Sequence, residues 1–242
     1  MSTKLFNEVK KLGISLDSLQ LRKSEEIGKW VSPLDGLDKS IEESALDNYK
    51  LLGWRGYCGE GGLILNLLKS MSFESLSYRH RSTYVEALYA QNVAFEQDRF
   101  QKEYLLENVK KASKYIIAQN YDVMSSSVDI ETKNDCHTSN DTSCMLDYFP
   151  GLEKWMFIEL YEILSNQLMF NIAAKFAEDP YEYRRGWPDL TIWKDDCLKF
   201  IEVKGPNDQL RKSQIKTISE VLLPVYKNIE VLSVTELMAN KR

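Results

Sequence analysis

Two short runs near the C-terminus constrain the fold more than anything else in the chain. Asp189-Leu-Thr-Ile-Trp193 and Leu198-Lys-Phe-Ile-Glu-Val203 are rich in β-branched and aromatic residues, with Asp195-Asp196 between them as turn residues. They read as a β-hairpin. Leu210 to Leu223 follows as a helix and Ile229 to Val234 as a further strand. Successive strand residues face opposite ways, so Glu202 and Lys204 share one face and Val203 takes the other. Asp189, following Pro188 at the start of the partner strand, lies near both, so two carboxylates and an ammonium converge at a strand end.

That trio suits hydrolysis of a phosphodiester assisted by a divalent ion. Magnesium takes oxygen ligands and keeps several waters, so Asp189, Glu202 and the Val203 backbone carbonyl suffice as protein ligands beside a phosphate. The ion acidifies water and neutralises charge on phosphate oxygens. Lys204, a compact point charge, then orients or deprotonates the water or holds the phosphate. Taken alone, an Asp followed at a loose interval by Glu-X-Lys also describes an ordinary charge pair on a solvated sheet face.

The surrounding residues narrow the choice. Arg184-Arg-Gly-Trp-Pro-Asp-Leu190 and Glu202-Val-Lys-Gly-Pro-Asn-Asp-Gln-Leu-Arg-Lys-Ser-Gln214 closely resemble the motifs of the VRR-NUC family, a branch of the PD-(D/E)XK nuclease superfamily. Leu52-Gly-Trp-Arg-Gly-Tyr-Cys-Gly-Glu-Gly61 is similar to an upstream segment of the Fanconi-associated nucleases. The resemblance runs from about Leu46 to Val234, with helical character alone between its two motif-bearing ends. It implies Asp189 as a ligand shared between ions, Glu202 as a second ligand, Glu60 as a third, Lys204 as the catalytic lysine, and Gln214 beside the active site. Read without the resemblance, Gln214 is a polar residue on an exposed helix face and Glu60 a loop carboxylate preceding a helix.

The resemblance further implies an α/β fold with a restriction-endonuclease-like mixed sheet core flanked by helices and a mainly helical N-terminal half. It implies a DNA nuclease using Mg²⁺ or Mn²⁺ and leaving a 5'-phosphate, acting on flapped or branched DNA in repair or recombination. The large eukaryotic members carry DNA-binding and helical-repeat domains for which this chain has no room, so the resemblance leaves open which flapped or branched structure is preferred. Two alternatives stay open: a catalytically idle DNA-binding module, and a junction resolvase or a restriction or anti-phage nuclease of the same fold.

Charge gives the main counterweight. A formal net charge of -5 and a pI near 5.3 argue against a nucleic-acid partner, which usually leaves a basic footprint. A metal-dependent nuclease, however, commits carboxylates to its ions and needs only one basic face. Arg184, Arg185, Lys199, Arg211, Lys212 and Lys216 cluster around the motifs and supply that face, although each also reads as a solvated surface charge. Trp54, Tyr57 and Trp187 either stack on unpaired bases or pack beside glycines, and Trp187 also bears on the shape of the groove.

The rest of the chain organises as residues 1–182, mainly helical and including the Glu60 loop, and 183–242, the catalytic core, in one compact unit. Ile41 to Leu52 shows helical spacing with Gly53 as a stop, and a glycine-dense loop separates it from an apolar helix over Leu63 to Met71. Helical spacing returns from Ser82 to Gln119 and from Gly151 to Glu178, around a polar loop from Met124 to Ser143. Four cysteines at irregular spacing and no apolar leader point to a reducing compartment, cytoplasmic (nucleoid-associated) or nuclear rather than secreted. No apolar stretch is long enough to span a bilayer. A monomer is expected in preference to a homodimer. Cys136, His137 and Cys144 lack a fourth ligand nearby for zinc, and His80 reads as a surface or interface histidine.

Overall fold

The computed structural model describes residues 3–72, 102–126 and 146–237. In chain order these form α1 (Thr3–Leu12), β1 (Ser15–Leu21), β2 (Trp30–Val31), β3 (Asp38–Lys39), α2 (Ile41–Leu51), β4 (Arg55–Cys58) and α3 (Gly62–Ser72). Then come α4 (Lys102–Lys111), α5 (Lys114–Ser125), α6 (Lys154–Ile163), α7 (Asn166–Phe176), α8 (Pro180–Tyr183), β5 (Leu190–Lys194), β6 (Cys197–Lys204), α9 (Lys212–Thr217) and β7 (Ile229–Glu236). A π-helical turn, Ile218–Leu222, extends α9.

The hairpin forms where the alternating pattern requires it, β5 antiparallel to β6, with Asp195 at φ +51° in the turn. Around it lies a five-stranded mixed sheet in the order β1-β7-β6-β5-β4. β7 runs parallel to both β6 and β1, and β4 runs antiparallel to β5. Residues 183–242 thus supply the three middle strands, and both outer strands come from the first sixty residues. Gly56 permits β4 to pair: a Cβ there would lie 2.4 Å from the Thr191 carbonyl oxygen.

Parity sorts the sheet into two faces. Leu190, Ile192, Ile201, Val203, Leu232 and Val234 pack against Ala45, Leu46 and Tyr49 of α2. Trp193, Leu198 and Phe200 face the helical layer of α3 to α7, where Leu63, Leu67, Phe157, Leu160, Ile172 and Phe176 are buried. α2 begins with a capping box between Ser40 and Glu43, a local start signal that its apolar spacing then sustains. The stretch from Gly151 to Glu178 divides into α6 and α7, because the Ser165 side chain accepts from the Leu168 amide and caps a new helix. α1 seats Leu5 and Val9 against Leu210 and Val231, anchoring the β7 side of the sheet.

Much of the region from Ser82 and of the Met124 to Ser143 loop, with His80, Cys136, His137 and Cys144, lies outside the described residues. No helix among the described residues is long and apolar enough to cross a membrane.

Candidate active site

Asp189, Glu202 and Lys204 meet on the sheet face opposite α2. Asp189 Oδ2 accepts from the Val203 amide at 2.8 Å, so the backbone of β6 fixes one carboxylate while its side chains carry the other charged groups. Lys204 Nζ donates to Glu202 Oε1 at 2.5 Å and to Gln214 Oε1 at 3.1 Å. Gln214 Nε2 also donates to Glu202 Oε1, and Gln214 Oε1 accepts from the Arg211 amide at 2.8 Å. Gln214 is 2% exposed; far from lying on a solvated helix face, it ties α9 to both Glu202 and Lys204.

The electrostatics of the pair are those of a site lacking positive charge. Burial pushes the Asp189 carboxyl up to about 6 against the opposing pull of the Val203 amide and Lys204, and the negative charges of Glu42 and Glu60 add to the rise. Burial, then the charge of Asp189, holds Glu202 well above the usual carboxylate range. Glu202 Oε2 is buried without a hydrogen-bond partner. A doubly charged, oxygen-seeking cation would satisfy that oxygen and offset both burial penalties, so the donor set fits Mg²⁺ or Mn²⁺. Asp189 and Glu202 would hold it. Val203 contributes through its amide, which holds Asp189.

The shifts carry a sign. An acid whose folded pKa is raised from 3.8 to about 6 destabilises the fold fully above that range and not at all below it. The metal-free protein is therefore expected to melt at a higher temperature at pH 5 than at pH 7. Saturating Mn²⁺ at pH 7 should recover the loss by mass action. A melting temperature insensitive to both pH and Mn²⁺ would count against the buried pair as drawn.

Glu60 sits at the rim. Its loop is held by the Gly59 amide, which donates to the Asp189 carbonyl at 2.8 Å, and by Gly61, where a Cβ would lie 2.5 Å from Trp187 Cβ. The Glu60 side chain is 56% exposed and pairs with Arg211 Nη1 at 3.5 Å. Among the described residues no three His, Cys, Asp or Glu side chains are gathered closely enough to hold a metal. Asp189 and Glu202 are assembled; Glu60 is adjacent but turned to Arg211.

The basic residues divide. Arg211 and Lys212 stand exposed at the start of α9. Arg185 and Lys216 lean on Glu182, at 3.7 and 3.5 Å, and Arg184 stacks on Tyr181 at 3.6 Å while donating to its carbonyl. Lys199 is not brought to this surface. Its odd position in β6 puts it on the α2 face, where it pairs with buried Glu230 at 2.8 Å beside Tyr49, whose hydroxyl donates to the same carboxylate. Lys199→Ala is expected to leave DNA binding unchanged but to cost about 1–3 kcal/mol of stability in denaturant unfolding, by leaving Glu230 under-satisfied.

The aromatics are packing residues. Trp187 is fully buried and donates from Nε1 to the Tyr183 carbonyl. Tyr57 is buried with its hydroxyl on the Pro150 carbonyl, and Trp54 packs edge-on to Tyr49. Trp187 and Tyr57 offer no free face for a base, and half-buried Trp54 carries Lys199 Nζ over its ring at 5.5 Å. Gly186, at φ +79°, brings the Arg184–Pro188 loop onto α9, where a Cβ would lie 2.3 Å from the Ser213 carbonyl. One acidic residue near the site escaped the sequence reading: Glu42, in the first turn of α2, contributes to the field at Asp189. Its only sequence signal is its place in the first turn of a helix, where a carboxylate suits the helix dipole.

Residues 131–232 match the VRR-NUC domain. The chain is 30% identical over 98 residues to Fanconi-associated nuclease 1 of Ailuropoda melanoleuca, covering 40% of this chain and 9% of that protein. It is 31% identical over 77 residues to Fanconi-associated nuclease 1 of Homo sapiens, covering 31% of this chain and 7% of that protein. The crystal structure of paFAN1 bound to 2nt 5'flap DNA with gap superposes with a TM-score of 0.64 at 18% identity, over 96% of this chain and 41% of that one. The 1nt 5'flap complex gives 0.60 at 19% identity, with the same coverage. These superpositions establish a shared fold. The chain spans less than half of the solved relative and aligns with less than a tenth of each curated one.

Proposed function

Because the chain carries a VRR-NUC domain related to the nuclease domain of Fanconi-associated nuclease 1, we propose that it is a divalent-metal-dependent deoxyribonuclease acting on flapped or branched DNA. The observation that carries this reading is the buried Glu202 Oε2 with no partner, beside a second buried carboxylate and an ammonium held by Gln214. In a charge pair kept only for stability, a buried carboxylate oxygen is rarely left unmet.

A divalent ion bound there would supply neutralisation of phosphate charge and acidification of water. Asp189 and Glu202 would hold it, with Glu60 as a third carboxylate once its side chain turns from Arg211. Lys204 Nζ, fixed by Glu202 and Gln214, orients water for attack on phosphorus as a compact charged donor, and the proton of that water passes to solvent. The P–O3' bond breaks, the 3' oxygen gains a proton and the 5' side keeps the phosphate. Arg211 and Lys212 receive the DNA backbone at the rim. The setting proposed is DNA repair or recombination, by the likeness to the Fanconi-associated nucleases.

The test is cleavage of labelled single strand, duplex, 5' flap, 3' flap and four-way junction with Mg²⁺, Mn²⁺ or EDTA, beside Asp189→Ala. Cleavage that is strongest on the flap, lost in EDTA and lost in the variant is expected. Folded protein that binds but never cuts would make it a DNA-binding module, and paired cuts in the junction alone would make it a resolvase.

A further inference from the structure

Glu60 and Arg211 share an unusual arrangement. The backbone on both sides of Glu60 is pinned to the site, through the Gly59 amide on the Asp189 carbonyl and Gly61 against Trp187. The Arg211 backbone is pinned as well, its amide donating to the same Gln214 oxygen that accepts from Lys204. Only the two side chains are free to move, and both are exposed, at 56% and 71%, with a single contact of 3.5 Å between them. Such a contact is weak. It engages Glu60, the third carboxylate of the nuclease reading, and it neutralises an exposed guanidinium of the basic rim.

We propose that Arg211 couples DNA binding to metal binding: its guanidinium holds Glu60 out of the metal site in the DNA-free protein and releases it when a backbone phosphate claims the guanidinium. This rests on the nuclease reading, with Glu60 as third ligand. The exchange conserves pairing, since one carboxylate–guanidinium contact is replaced by a guanidinium–phosphate and a carboxylate–cation contact. The phosphate is the stronger partner for arginine, because it offers two oxygens to the planar fork. Linkage makes the effect reciprocal: DNA tightens metal binding by the factor by which metal tightens DNA binding. At sub-saturating metal, occupancy, and with it cutting, is thereby favoured in the DNA-bound protein.

The test is a double-mutant cycle read by Mn²⁺ uptake, followed through the electron paramagnetic resonance signal of free ion, in wild type, Arg211→Ala, Glu60→Gln and the double variant without DNA. Arg211→Ala is expected to tighten Mn²⁺ binding by about two- to five-fold, the scale of one exposed ion pair, and to have no effect when Glu60 is already Gln. Equal tightening in both backgrounds would show that Arg211 acts merely as a nearby positive charge, and would overturn the proposal; so would no tightening at all. In a Lys204→Ala background, where DNA should stay intact, added flap duplex should tighten Mn²⁺ binding less when Arg211 is Ala. An undiminished effect of DNA there also overturns it. Wild-type protein that neither takes up Mn²⁺ nor cuts DNA would sink the nuclease reading itself, whereas Mn²⁺ uptake and cutting with a null cycle would sink only the coupling.

Discussion

Lys204→Ala is expected to lower the turnover number for DNA hydrolysis by about 10²–10³-fold while leaving Mn²⁺ uptake intact. The ammonium is nearly inaccessible and held by two acceptors, Glu202 Oε1 and Gln214 Oε1, so its position is set before substrate arrives. Its loss removes the cation in contact with Glu202, yet burial already raises the Glu202 carboxyl well above the usual range, so added proton uptake gives the fold a way to absorb the change. Lys204→Arg should rescue little, because a planar guanidinium cannot replace a compact point charge in a space closed by Gln214. Single-turnover cleavage beside Mn²⁺ uptake separates the outcomes: unimpaired cutting would make Lys204 a structural partner of Glu202, and lost uptake would make it part of the metal site.

The largest effect on stability is expected from Trp187→Ala, about 3–5 kcal/mol by denaturant unfolding. The indole is fully buried between the Gly61 turn and the Tyr183 carbonyl, so truncation empties the space between the Glu60 loop and α8. The same side chain adjoins Pro188-Asp189, and turnover should fall along with stability. Gly186→Ala attacks this junction from the other side, through a Cβ that meets the α9 backbone and a φ of +79°. Trp187→Phe should retain most of the stability, and a variant series showing losses within about 0.5 kcal/mol would place Trp187 among ordinary surface substitutions.

The heart of the site was legible because its signals are local. Turn residues at Asp195-Asp196 and period-two alternation place Glu202 and Lys204 on one face, and strand pairing brings Asp189 to them. The same parity excludes Lys199 from that face, a deduction available from the sequence that grouping charges by proximity along the chain overlooked. Gln214 needed family resemblance, since nothing in its helical spacing distinguishes a buried glutamine from a solvated one. β1 left little trace: Ser15-Leu-Asp-Ser-Leu-Gln-Leu21 alternates poorly, and its stability comes from pairing with β7, far along the chain. β4 was hidden by glycines that signal turns, though here Gly56 serves close strand approach. The aromatic Trp187 invited a role in the groove; Gly61 explains why it is instead a packing residue.

The strand order also bears on how the molecule acquires its shape. Asp189, Glu202, Lys204 and Gln214 lie within one hairpin and the helix after it, a segment whose contacts are short in sequence and quick to form. The frame that buries them is different: β1 pairs Ser15 with Glu230, and β4 pairs Arg55 with Trp193. Such long loop closures make for slow folding. Chain collapse should therefore bring the charged trio together early, still wet, and desolvate it only when the distant outer strands dock. Because burial is the first cause of the raised affinity for protons, that affinity, and the demand for a metal in the protons' place, belongs to the finished sheet rather than to the hairpin alone.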